Sequence, residues 1–230
     1  LLYIVFLINT IGQENKILIF DTNHGQNADF AKIFNELLPN KSDASIITNG
    51  DNITVQTLKD KTALILFLPT KSFSDTEINA IKEYINSGGS LLLIFDQEFR
   101  MSLDGVGVNK IIVPFGIELT EDTPAPHNCG AIAEEGIICS GKRELPYSGG
   151  RSVKGGIIIS KVNAAGNYIH SAFVKTPNGG KIIVMSDGMA GLLMGEEEGE
   201  RLTGTNPSDT KYWGKDSRIF MEEILNFLMK

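Results

Sequence analysis

"ALILFLPTKSFSDTEINAIKEYINSGGSLLLIFD", residues 63–96, decides the fold. It opens on an almost unbroken apolar run ended by Pro69, the composition of a strand covered on both faces. Ser74 and Glu77 then stand at capping-box spacing, Ile78, Ile81 and Ile85 recur on one helical face, and Gly88 or Gly89 supplies a left-handed stop. "SLLLIFD" returns a second doubly buried strand. Strand, helix and strand with both strands apolar throughout call for a parallel pair joined by a right-handed crossover.

The alternation continues on either side. Upstream, "KILIF" is strand-like, "NADFAKIFNELL" sets Phe30, Ile33, Phe34 and Leu37 at helical spacing, "ASIIT" is a short strand and "VQTLKD" a short helix. Downstream, "KIIVMSD" restores a buried strand, and "KDSRIFMEEILNFLMK" closes as an amphipathic helix with Phe220, Ile224, Phe227 and Leu228 inward. The expected fold class is therefore α/β: a doubly wound, flavodoxin-like three-layer sandwich with a mainly parallel sheet. Between about 114 and 180 Gly, Pro and Asn become frequent, and short alternating runs such as "RSVKG", "GIIISKV" and "YIHSAFVK" are divided by turns such as Asn178-Gly179. That stretch is expected to be an antiparallel β-rich insert, set into the sheet or appended to it.

With 230 residues the chain has room for one substantial domain that needs no metal or disulfide to hold its core. Its 28 acidic against 21 basic residues, a formal charge of −7, leave no basic stripe for phosphates, so no nucleic-acid partner is expected. No run of about 20 apolar residues is present, so no membrane span is expected in the mature chain. Leu1 to Ile8 form an apolar block followed by Thr10, Gly12 and Gln13, which reads either as the remnant of a secretory signal or as a buried first strand. "KILIFD" follows almost at once and fits better as the first strand. Residues 1–13 are accordingly read as a signal remnant, 14–230 as a single domain, and the location as periplasmic or secreted. Cys129 and Cys139 are a hairpin disulfide in an exported protein or two plain core thiols; no second CxxC or HxxxH pattern supports zinc.

Three strand signals end alike, at Asp21, Asp96 and Asp187. In an open α/β sheet ligands bind outside the carboxyl ends of the strands. With strand order 2-1-3-4-5, Asp96 and Asp187 fall on neighbouring strands about 5 Å apart, with Asp21 two spacings away. Gln97 and Glu98 follow Asp96, and His24 follows Asp21. Such carboxylates either cap helices and satisfy loop amides, or line a pocket for sugar hydroxyls or a divalent cation. His24 is a loop-ordering residue or a general base; His127 and His170 show no recognisable partners. Tyr147 with Arg151 in "PYSGGR", and Tyr212 with Trp213 in "TKYWGKDSR", offer aromatics that stack on a sugar or anchor packing. No GxSxG elbow, Walker A loop or HExxH is present, and no cofactor is implied.

"ILIFDTNHGQ", the 68–96 unit and "GGKIIVMSDGMAG" followed by "FMEEILNFL" resemble class I glutamine amidotransferase-like domains that lack amidotransferase residues. That group includes the GIFT domain, shared by gliding-motility ABC-transporter auxiliary proteins and intraflagellar-transport proteins, and related bacterial exported proteins. The resemblance covers most of residues 15–230, and "ELPYSGGRSVKG" is similar to a segment of GIFT domains. A working amidotransferase carries Cys in a GxCxG elbow, whereas the corresponding turn here reads "IFDQEF". "SDGMAG" stands where the His-x-Glu pair would be, and Cys129 and Cys139 carry over no nucleophilic role. The resemblance implies a ligand- or partner-binding domain, with oligosaccharide binding proposed in the group.

The leading expectation is an exported, non-catalytic domain that binds an oligosaccharide or glycoconjugate through Asp21, His24, Asp96, Gln97, Glu98, Asp187, Tyr147 and Trp213. Two alternatives stand beside it: a metal-assisted or carboxylate-dependent hydrolase of sugar derivatives, and a scaffold that contacts a protein partner in a transport assembly.

Overall fold

The computed structural model describes residues 15–39, 41–127, 129–192 and 216–230. Residues 1–13, read above as a signal remnant, and Tyr212 and Trp213 lie outside the described residues. The first half alternates as the sequence predicts: β1 (Lys16–Asp21), α1 (Ala28–Glu36), β2 (Ala44–Asn49), α2 (Val55–Leu58), β3 (Ala63–Phe67), α3 (Asp75–Asn86) and β4 (Ser90–Ile94). Short helices α4 (Leu103–Val106) and α5 (Asn109–Ile112) and a 3-10 turn follow, none of which the apolar pattern announces. Then come β5 (Ile117–Asp122), β6 (Ala131–Ala133), β7 (Arg143–Leu145), β8 (Arg151–Gly155), β9 (Ile157–Val162), β10 (Ile169–Lys175) and β11 (Lys181–Met185), closed by α6 (Met189–Leu192) and α7 (Ser217–Met229).

A nine-stranded sheet runs β2-β1-β3-β4-β11-β10-β9-β6-β7. Its first five strands pair in parallel, which realises the expected 2-1-3-4-5 order with β11 as the fifth. The other four join antiparallel, so the insert extends the sheet, while β5 and β8 form a separate ribbon.

Every residue of β3 and β4 is buried, as apolar runs demand when both faces are covered. Helix α3 starts where its capping box lies: the Ser74 hydroxyl accepts from Glu77 N–H at 3.3 Å, and Glu77 accepts from Ser74 N–H at 2.9 Å. Its Ile78, Ile81 and Ile85 are buried, as are Phe220, Ile224, Phe227 and Leu228 of α7. Phe34 of α1 meets Phe20 and Phe67 at an angle, with ring centroids 5.5 Å apart in each pair, tying that helix to β1 and β3.

Both cysteines are free thiols, Cys139 buried and Cys129 half-buried. Among the described residues no helix is long and apolar enough to cross a membrane.

One buried group in the antiparallel half carries a pH signature. His170 on β10 is fully buried; its Nδ1 meets the Ser160 hydroxyl at 2.7 Å, and its Nε2 has no partner among the described residues. Burial alone pushes its pKa down from 6.5 to about 4. The unfolded chain therefore takes up a proton that the folded chain refuses between those values. The contribution of His170 to stability should be flat above about pH 6.5 and fall by roughly 3 kcal/mol on acidification to about pH 4. Urea titrations of wild type and His170→Leu across that window check this, and parallel pH slopes for the two would refute it.

Candidate functional site

The three strand-end aspartates divide into two separate clusters. Asp21 ends β1 and folds the next turn onto itself: its carboxylate accepts from the Asn23 and His24 N–H groups at 3.3 and 3.1 Å and contacts His24 Nδ1 at 3.0 Å. His24 Nε2 lies 3.3 Å from the Glu77 carboxylate, and its ring stacks on Phe73 with centroids 4.2 Å apart. The turn then presses against β3, where Gln26 N–H donates to Phe67 O at 3.1 Å. A Cβ on Gly25 would sit 2.3 Å from that same oxygen, which explains glycine after the histidine. Asp21 is 0% and His24 3% exposed, so both hold the β1–α1 loop to β3 and α3, and neither faces solvent.

Asp96 and Asp187 come together as the strand order requires. β4 and β11 are paired in register through Ile94↔Met185, and each aspartate lies two residues beyond. Asp96 accepts from Gln97 N–H at 2.8 Å and lies 3.5 Å from Arg100. Asp187 accepts from the Met189 N–H at 2.7 Å and the Ser148 N–H at 3.1 Å. Burial, then the neighbouring Asp96 charge, raises Asp187 well above the carboxylate range. Burial raises Asp96 as well, against the pull of its Gln97 hydrogen bond and of Arg100.

The loop between β7 and β8 closes this pair off. Gly149, at φ +102°, and Gly150 carry it across the strand ends, where a Cβ on Gly149 would meet the Gln97 amide at 2.3 Å and one on Gly150 the Ser186 carbonyl at 2.5 Å. The Ser148 carbonyl accepts from the Gln97 amide at 3.4 Å and is also in contact with His127 Nδ1. Among the described residues a cleft of about 60 Å³ lies over the pair, lined by Asp96, Gln97, Arg100, His127, Ser148 and the exposed Phe99 among others.

Arg151, 1% exposed, is bonded to the backbone at Asp96 rather than to its carboxylate. Its Nε donates to Asp96 O at 2.9 Å, its Nη1 to Thr120 O at 3.1 Å, and its Nη2 to Met101 O at 3.3 Å and to the Glu98 carboxylate. Glu98, bonded first by the Leu103 N–H and then by Arg151, is drawn down to about 2. Glu98 thus serves as a counter-ion at the mouth of a neighbouring cleft of about 460 Å³ that Asp104, Glu121 and Asp122 also line.

Of the expected site residues, Asp96, Gln97 and Asp187 share one neighbourhood, with Glu98 beside it through Arg151. Tyr147 is buried, with its hydroxyl 2.8 Å from Thr123 and its pKa pushed up by burial, so neither ring face is free to stack. Arg100, His127 and Ser148 are the contributors that the residue patterns do not single out. His127 and His170, which show no partner in the sequence, have Ser148 O and the Ser160 hydroxyl. Among the described residues no group of three His, Cys, Asp or Glu could hold a metal ion.

Fold and site together define an α/β domain whose carboxyl rim, where the fold would hold a ligand, is bridged over the Asp96–Asp187 pair by the β7–β8 loop. A family model described as the IFT52 GIFT domain matches residues 17–126. The mouse (Mus musculus) protein named intraflagellar transport protein 52 homolog is 25% identical over 162 residues, 67% of this chain and 36% of that protein. The chain thus spans little more than a third of the length of that relative. Among solved structures, the "mmIFT52 N-terminal domain" superposes with a TM-score of 0.63 at 17% identity, over 75% of this chain and 86% of its own. A Thermoplasma acidophilum protein described provisionally as a component of GMP synthase superposes at 0.52 with 12% identity over 94% of both chains. At such identities the two structures share the fold.

Proposed function

We propose that this chain is a non-catalytic, amidotransferase-like domain of doubly wound build that works by holding a protein partner. The observation that carries the reading is the closure of the rim. Asp21, His24 and Asp187 are buried against loop amides or side chains, and the cleft over Asp96 and Gln97 is about 60 Å³, whereas small-molecule sites enclose roughly 300–1,000 Å³. The neighbouring cleft of about 460 Å³ has that size, but four acidic side chains line it and its Arg151 is already bonded to Glu98. The Asp96–Gln97 turn also lacks the cysteine nucleophile of a working amidotransferase. Support of a different kind comes from the similarity to proteins named for intraflagellar transport. Of the residues expected to bind a carbohydrate, Asp96 and Gln97 line this cleft, beside Arg100 and His127; the hydrolase alternative would use the Asp96–Asp187 pair.

One experiment separates the three. The tagged full chain is purified from its own source, the associated protein is identified, and the complex is rebuilt from pure components beside an Asp96→Asn variant. A stoichiometric complex of micromolar or tighter affinity, equal for both chains, is the expected result. A thermal shift with an oligosaccharide, or turnover of a chromogenic glycoside, lost in Asp96→Asn, would overturn it.

A further inference from the structure

The start of β9 is a bare sheet edge that neither the rim nor the core explains. β6 pairs with β9 only from Ala131↔Val162 to Ala133↔Ser160 and then leaves into a turn closed by Gly136 N–H to Cys139 O at 2.9 Å. Ile157 and Ile158 keep β10 on one side and, with Ile159, have no strand on the other among the described residues. Alternate residues of a strand turn their N–H and C=O groups to opposite edges, so part of this backbone faces outward unpaired. Natural edges of that kind are blunted by lysine, proline or a covering element. Here the edge is three isoleucines.

Ile157 and Ile158 are 53% and 47% exposed, and Ile137 across the gap 64%. Between them lies an open groove of about 630 Å³ with Ile132 and Phe173 in its walls. Glu134 and Glu135 stand on its rim with Lys142 and Lys161, and none of the four has an ion-pair partner among the described residues. A rim with two charges of each sign offers no net field to a polyanion or an anionic lipid surface. It complements a segment that is apolar at its centre and carries one charge of each sign at its ends.

We propose that Ile157–Ile159 receives an extended segment of a partner protein as an added strand. Main-chain hydrogen bonds go to the β9 edge, alternate apolar side chains enter the groove against Ile132 and Ile137, and flanking charges meet the Glu134–Glu135 and Lys142–Lys161 pairs. This rests on the protein-partner reading above and names its surface. Three to four residues of strand, roughly 10–13 Å at about 3.3 Å each, span the bare edge.

The test uses the full chain and a capped peptide Lys-Val-Thr-Val-Thr-Val-Glu, with a twin N-methylated at alternate amides. Backbone resonance changes confined to 132–138 and 157–161 are expected, with affinity falling at least about tenfold for the twin and for the Ile157→Lys, Ile158→Lys double variant. Both positions are exposed, and an unchanged melting midpoint confirms that the variant folds. Equal binding of the twin, or changes elsewhere, would overturn the proposal, as would a dimer in sedimentation that the lysine variant dissolves. The rebuilt complex of the preceding section separates the two readings. A partner that binds wild type and the lysine variant alike removes the edge but leaves the protein-partner reading; methylation-sensitive peptide binding with no partner found does the reverse.

Discussion

Replacing Arg151 by methionine should lower the unfolding free energy by about 3–5 kcal/mol, since three carbonyls lose their donor at roughly 1–3 kcal/mol for each one that stays buried. Its guanidinium reaches the carbonyls of Asp96, Thr120 and Met101 together, and methionine leaves all three facing an apolar chain. It also sits 5.5 Å over the Phe95 ring, a contact a lysine would keep in part while losing the fork. Arg151→Lys should therefore recover less than half of the loss. The second consequence is electrostatic: Arg151 is among the charges that oppose the upward pull of burial on Asp96. Its removal should raise the Asp96 pKa further, which carboxyl carbon resonances followed through a pH titration would read. A stability loss under about 1 kcal/mol would mean that water reaches the three carbonyls, and that the surroundings of Arg151 are wetter than its burial implies.

Arg151 also shows where a sequence stops being readable. The parallel half is legible because β3 and β4 are buried on both faces and so appear as continuous apolar runs, and because Ser74 and Glu77 mark the start of α3. From the strand order alone, Asp96 and Asp187 become neighbours. The antiparallel half is legible as β structure but not as pairing: β6 and β7 are three residues each, too short to show a period, and nothing local separates the β5–β8 ribbon from the main sheet. The closure of the rim is of the same kind. Ser148 reaches Asp187 and Arg151 reaches Asp96 across long stretches of chain, and contacts that distant leave no spacing to recognise. Tyr147 illustrates the converse, an aromatic in a glycine-rich stretch that reads as available and is instead buried.

Replacing Glu77 by alanine should cost about as much, roughly 3–5 kcal/mol, because its carboxylate does more than cap a helix. It accepts from Ser74 N–H and the Ser74 hydroxyl, from Ile53 N–H at 3.0 Å, and faces His24 Nε2. Burial pushes its pKa up, but the bonds from Ser74 and Ile53 and the nearby His24 outweigh that and hold it below 4.5. A carboxylate with a depressed folded pKa stabilises the fold above its ordinary value and loses that contribution as the pH falls through the folded one. Glu77→Gln, which keeps the shape and removes the charge, should therefore differ from wild type at neutral pH and converge with it in acid. The decisive comparison is with His24→Ala. If Asp21, His24 and Glu77 act as one clasp between the first loop and α3, the losses for His24→Ala and Glu77→Ala will fail to add by about 1–3 kcal/mol in a double-mutant cycle. The Ile53 amide should then lose hydrogen-exchange protection in both variants. Strict additivity would mean that Asp21 and Phe73 hold His24 in place without help from Glu77, and that the clasp reaches α3 through Glu77 alone.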